Sequence, residues 1–145
     1  MAEETGLIGL ADAGKPQAGE VVYPPGGTYG PRIQRDYQLV VLYTGSVLVE
    51  LDGQQRPLRP AEVALLRPGR REFFRFSRTT ESRHGWLALQ RPPLPARHLA
   101  ALDGAPFALP LTPAMDQLMQ AAVTVRRGVG DYQTVLAAII TAALA

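Results

Sequence analysis

The sequence predicts a mainly-β fold: a small barrel of short strands followed by a C-terminal α-helical hairpin. Three observations carry that expectation. Short apolar runs separated by turn signals recur between Val21 and Gln90. Their spacing, roughly eight to twelve residues, suits a sandwich or barrel and not an alternation of strands and helices. Asp52-Gly53 stands between two alternating apolar runs, a strong two-residue hairpin signal. Beyond the proline cluster Arg91-Pro92-Pro93-Leu94-Pro95, which cannot continue a central strand, the apolar period becomes helical.

Taken in order, residues 1–20 form a mixed lead-in with no sustained period and read as an N-terminal arm. Val21-Val22-Tyr23 reads as a short strand stopped by Pro24-Pro25-Gly26-Gly27. Tyr29-Gly30-Pro31-Arg32 reads as another irregular connection. Strands are expected at 37–43, 46–51, 56–58, 62–66, 73–76 and 85–90. The barrel is therefore assigned to 21–98, with a linker and helical hairpin over 99–145. Thr112-Pro113 supplies an N-cap and a first-turn proline, and Met115, Leu118, Met119, Ala122 and Val125 then recur at helical spacing. Gly128 suits the position after that helix, Gly128-Val129-Gly130 the hairpin turn, and Asp131 the cap of a second helix.

The second helix is apolar nearly all round, which requires cover on more than one side. A homodimer follows as an expectation, through Tyr132, Val135, Leu136, Ile139 and Ile140. The pattern stops at Ala145 in mid-helix, which reads as a piece of a longer protein.

Composition narrows the function classes. A chain of 145 residues, 46% hydrophobic and 19% charged, suits one domain around one core. With no Cys, disulfides and thiolate metal sites are excluded. No apolar stretch approaches the roughly 18 residues of a membrane span, and the acidic start lacks the basic region of a signal peptide. A cytoplasmic location without a membrane partner is the default expectation. The net charge of +2 is unevenly spread: residues 1–55 carry seven acids against three bases, and residues 56–97 carry ten Arg against three acids. Two readings of the basic segment stay open, contact with an anionic partner and a set of solvated loops and strand faces. No Gly-x-Ser-x-Gly elbow or phosphate-cradling glycine loop occurs, so no catalytic residue is assigned.

The spacing of Gly45, Gly53 and Pro68-Gly69 is similar to that of a cupin, a double-stranded β-helix or jelly-roll barrel. The ordered pieces Tyr23-Pro24-Pro25-Gly26, Asp36-Tyr37-Gln38-Leu39, Leu51-Asp52-Gly53, Leu58-Arg59-Pro60-Ala61-Glu62-Val63, Leu66-Arg67-Pro68-Gly69 and Arg83-His84-Gly85-Trp86 extend it. Over 21–145 the chain resembles the N-terminal ligand-sensing cupin of an AraC-type transcription regulator with its dimerisation helices. The resemblance implies a small-molecule effector, a homodimer, and DNA contact only through a C-terminal domain that has no counterpart here. It departs from metal-binding cupins. Gln38 stands where their glutamate is expected, Glu72 where the second motif has histidine, and the upstream histidine pair is missing. No metal or other cofactor is therefore expected. A stand-alone metal-dependent cupin enzyme, an isomerase or dioxygenase, is the alternative reading.

Period-2 alternation puts Glu72, Phe74 and Phe76 on one strand face, Gln38, Val40 and Leu42 on another, and His84 with Trp86 on a third. If the motif positions point inward, as in that fold, the interior presents Gln38, Glu72, Phe74, His84 and Trp86. An indole beside a few polar groups suits a sugar or small amphipathic ligand. In sugar-responsive members of the family the positions matching Phe74, His84 and Trp86 line the effector pocket, and Arg32 is a looser match to an arginine there. Bland alternatives stand beside each assignment. Trp86 fills core, His84 donates to a backbone carbonyl, Glu72 turns to solvent beside Arg70 and Arg71, and Gln38 satisfies its amide on a neighbouring strand. Phe73 and Tyr43 are expected to face outward.

Overall fold

The run Leu39-Val40-Val41-Leu42 is apolar at every position, and in the folded chain its two faces serve two different cores. The computed structural model describes residues 14–127 and 133–145. Its elements are β1 (Gln17–Tyr23), β2 (Thr28–Ile33), β3 (Tyr37–Thr44), β4 (Val47–Leu51), β5 (Gln54–Leu58), β6 (Glu62–Leu66), β7 (Arg71–Phe76), β8 (Ser82–Leu89), α1 (Ala96–Asp103), β9 (Ala108–Pro110), α2 (Pro113–Arg127) and α3 (Gln133–Leu144).

All strand pairing is antiparallel. One sheet has the order β1-β8-β3-β6-β9 and faces a second with the order β2-β7-β4-β5. β1 and β2 end the two sheets on the same side. The hairpin at Asp52-Gly53 forms as the sequence signals, with φ of 48° and 84° at the two residues, the left-handed pair a type I′ turn needs. Gly45 also has positive φ, 83°, and a Cβ there would meet the Glu81 carbonyl oxygen at 2.6 Å, so no other residue fits that corner.

Inside the barrel, Val40, Leu42, Val47, Val49, Leu51, Leu58, Leu66, Phe74 and Phe76 form one buried cluster. On the outer face of the five-stranded sheet, Leu39, Val41, Leu87 and Leu89 meet Met119 and Ala122 of α2 and Leu136, Ala137 and Ile140 of α3. Tyr43 also faces this outer side. Its hydroxyl lies 3.0 Å from Asp116 Oδ1 and accepts a 3.0 Å bond from Gln120 Nε2, which pins α2 to the sheet. Thr112 caps α2 as expected, its Oγ1 accepting from the Met115 amide at 3.1 Å. His98 on α1 lies 2.9 Å from the Leu144 carbonyl, tying α1 to the last turn of α3.

Four readings need correction. Tyr29-Gly30-Pro31-Arg32, expected as an irregular connection, is strand β2. It lies at a sheet edge, where a proline without an N–H is tolerated, and its pairing with β7 shifts between Tyr29 and Arg32. β1 starts at Gln17, inside the segment read as an arm, and pairs with β8 along its whole length. α1 and β9 were not expected at all. Finally, Leu136 and Ile140, assigned to a dimer interface, are both 0% exposed and belong to this chain's own outer core. Tyr132, Gly128, Asp131 and the 128–130 turn lie outside the described residues.

Candidate functional site

Alternation along five strands delivers one set of side chains to the barrel end bounded by β1 and β2. Ala18 of β1 packs toward the helices, so its neighbours Gln17, Val21 and Tyr23 point the other way. With Tyr29 and Arg32 of β2, Gln38 of β3, Phe74 and Phe76 of β7, and His84 and Trp86 of β8, they line a cavity of about 180 Å³. Five of the six residues expected from the sequence come together here: Arg32, Gln38, Phe74, His84 and Trp86. Tyr23, Tyr29 and Phe76 were missed as rings of the cavity wall. For Tyr23 the consecutive apolar residues Val21-Val22-Tyr23 gave no alternation to read, and its face follows only from the register of β1 on β8.

Most of the wall is aromatic. Tyr23 stacks on Phe76 with centroids 4.0 Å apart and planes 8° apart. The His84 ring lies 5.5 Å from Tyr23 and 5.3 Å from Phe76, close to parallel with both. Trp86 is tilted by 41° against His84 at 5.7 Å, and Tyr29 meets Phe74 edge-on at 6.1 Å. The indole lies against the backbone of Gly19, its cross-strand partner, where a Cβ would approach Trp86 Cζ2 to 2.6 Å. Only a glycine leaves room for it in that position.

One end of the cavity is polar. Arg32 Nε donates to Glu72 Oε1 at 2.7 Å, Nη2 to Gln38 Oε1 at 2.8 Å, and Nη1 to the Tyr29 hydroxyl at 3.0 Å. Gln34, which the sequence did not single out, donates from Nε2 to Gln38 Oε1 at 2.9 Å and to Glu72 Oε1 at 3.0 Å. Because Gln38 Oε1 accepts two N–H groups, the network fixes the amide's orientation and leaves Nε2 for the cavity. Glu72 is 1% exposed, so the alternative in which it turns to solvent fails. It does not line the cavity either, but lies beneath Arg32 as a buried counter-ion. Burial raises its carboxyl above the usual range, opposed by the Arg32 guanidinium and the bond from Gln34. Glu72 Oε2 has no hydrogen-bond partner among the described residues.

His84 is 7% exposed, and neither ring nitrogen has a hydrogen-bond partner among the described residues. The expected backbone carbonyl partner is therefore missing. Burial lowers its pKa to about 4; the Gly85 backbone opposes this weakly, without reaching hydrogen-bonding geometry. At neutral pH the ring is uncharged, with one donor and one acceptor left for whatever enters the cavity.

The residues present do not fit the metal centre common among cupins. Among the described residues, no three His, Cys, Asp or Glu side chains come together. Gln38 offers an amide already shared by two donors, Glu72 is paired with Arg32, and His98 is bonded at the end of α3.

No protein-family model matches the chain, and no curated protein does. Solved structures do resemble it. A putative glyoxylate induced protein from Pseudomonas aeruginosa superposes with a TM-score of 0.52 at 18% identity, over 67% of this chain and 36% of its own. An RmlC-like cupin family protein with a double-stranded β-helix fold from Methanocaldococcus jannaschii gives 0.50 at 11% identity, over 54% of this chain and 72% of its own. The cupin domain of Cnp3 from Schizosaccharomyces pombe gives 0.50 at 12% identity, over 55% and 58%. At these identities the likeness concerns the fold, which is that of an RmlC-like cupin. No described helix is long and apolar enough to cross a membrane.

Proposed function

We propose that this chain is a ligand-binding cupin module without enzymatic activity, the effector-sensing and dimerisation part of a transcription regulator. The observation that supports it is an uncharged, unpartnered His84 among stacked rings in a cavity that can take one small organic molecule. The order of motifs from Tyr23 to Trp86, similar to that of AraC-type sensors, is the reason to place such a module in a regulator. DNA contact would then belong to a domain outside this chain. Because the ligand would act by favouring one state of the protein over another, it must bind the two states differently.

Thermal denaturation against a small-molecule panel tests binding. A ligand at a hundred times its dissociation constant adds roughly 2.7 kcal/mol of stability. Stoichiometric Fe, Mn, Zn or Ni on elemental analysis of the purified protein would overturn the reading in favour of a metal-dependent enzyme.

Association with a second copy is proposed through the outward side of α3. Leu136 and Ile140 are unavailable, but Val135 is 50% exposed and shares a helix face with Ala138, Ile139 and Ala142. Val135→Glu combined with Ala142→Glu should turn a dimer into a monomer by light scattering while preserving the melting transition. An unchanged mass would remove α3 from the interface.

A further inference from the structure

Resting on the ligand-binding reading above, the geometry points to one class of guest: a single planar ring carrying a hydrogen-bond acceptor at one end, a carboxylate or carbonyl, and not a polyol. Size sets the first limit. A cavity of about 180 Å³ is close to the roughly 150 Å³ engineered site that holds benzene. One ring is a good match to that volume.

The walls set the second limit. Tyr23, Phe76, His84 and Trp86 present faces and edges suited to stacking on another flat ring. A cation is disfavoured, because the Arg32 guanidinium already lies over the Tyr29 ring, 4.7 Å from its centroid.

The third limit is the balance of donors and acceptors. Three of the five N–H groups of Arg32 are committed to Glu72, Gln38 and Tyr29, which leaves two for a guest. Gln38 adds its Nε2, and neutral His84 adds one donor and one acceptor. At the Arg32 end acceptors are scarce, since Gln38 Oε1 is doubly engaged and Glu72 Oε1 accepts from both Arg32 and Gln34. Elsewhere in the lining the Gln17 amide oxygen, the Tyr23 hydroxyl and one His84 nitrogen can accept. A polyol brings as many donors as acceptors, and at the donor-rich Arg32 end its hydroxyl protons would find few partners, at a cost for each one left unpaired. A ring with an acceptor at one end satisfies the Arg32 and Gln38 donors and turns its apolar edge to the aromatic wall.

Trp86 is the chain's single tryptophan, so its fluorescence reports on this cavity alone. The full chain is titrated with benzoate, acetophenone and D-xylose, with melting temperature as a second readout. Benzoate or acetophenone should perturb Trp86 at concentrations at least tenfold below D-xylose, and which of the two binds tighter tells a carboxylate guest from a carbonyl one. Arg32→Lys keeps the charge paired with Glu72 but loses the planar fork, and should weaken the better ring probe roughly tenfold or more. Should that variant fail to fold, Arg32→Gln together with Glu72→Gln replaces the ion pair by neutral amides and should weaken it likewise. Tighter binding of D-xylose, or ring binding indifferent to both variants, overturns the acceptor-ended ring and leaves the pocket standing. If none of the three perturbs Trp86, acrylamide quenching separates the failures. An accessible indole means only the guest class is wrong; a sealed indole means the cavity admits nothing, and the ligand-binding reading falls with it.

Discussion

The two sides of the five-stranded sheet are built from the same strands, yet only one of them leaves a hollow. Facing the helices, Leu39, Val41, Leu87 and Leu89 close against Met119, Leu136 and Ile140, and these seven side chains are all nearly or wholly buried. Facing the barrel, the next residues along β8 are His84 and Trp86, and what they meet is a hollow. One-residue alternation thus gives the outer face wholly to packing, while the inner face is divided between the barrel core around Val40 and Leu42 and the cavity. On the packed face the polar groups that do occur, Tyr43, Asp116 and Gln120, are bonded to one another. On the inner face, both imidazole nitrogens of His84 lack a hydrogen-bond partner among the described residues, which costs stability and is retained beside a cavity.

The sharpest break of that comparison is in the packed half. Ile140→Ala leaves a hole between α3 and the sheet, and should cost about 2–5 kcal/mol in denaturant unfolding. Binding of any guest to the surviving folded fraction should be unchanged, because Ile140 touches only the outer core. An effect below about 1 kcal/mol would mean that α3 is not an integral part of the fold.

His84 gives the next largest effect, with a defined sign. Its folded pKa of about 4 lies below the ordinary 6.5, so between those values the unfolded chain binds a proton that the folded chain does not. Stability therefore falls as pH is lowered from about 6.5 to about 4, by on the order of 3 kcal/mol from this residue. His84→Gln should flatten that slope relative to the parent protein in urea melts taken across the window. Equal slopes would mean that His84 already finds a proton acceptor in the fold. A guest that accepts a hydrogen bond from the imidazole should raise the histidine pKa, and NMR titration would follow it directly.

How much of this was legible in the sequence follows from the same division. Asp52-Gly53 and Gly45 were readable because each demands a backbone geometry that few residues tolerate. Thr112-Pro113 was readable because capping is local. Gln38, Phe74, His84 and Trp86 emerged from alternation combined with the inward motif positions of the cupin resemblance, and Arg32 from the likeness to sugar-responsive sensors alone. β2 was hidden by its own Gly30-Pro31, a pair that signals a turn unless a neighbouring strand overrides it, as β7 does. Glu72 looked like a cavity residue because alternation gives the face a side chain points to and not the depth at which it stops. Only the fold brings Arg32 and Gln34 over it. Leu136 and Ile140 looked like an interface because an all-apolar helix reads identically whether a sheet or a second chain covers it.

The smallest effect on stability comes from Gly19, and it tests the hollow most directly. Its φ is unexceptional, so alanine is permitted by the backbone, yet the added methyl would press on the far edge of the Trp86 ring. That edge can swing, so Gly19→Ala should change stability by no more than about 1 kcal/mol. The indole lines the cavity, so a ring edge displaced from Gly19 alters that wall. Guest binding should therefore weaken well beyond what the stability change accounts for, together with a shift in Trp86 emission. Unaltered affinity in a variant whose emission has moved would place the guest away from the indole. Unaltered emission would mean that the ring does not rest on Gly19 in solution.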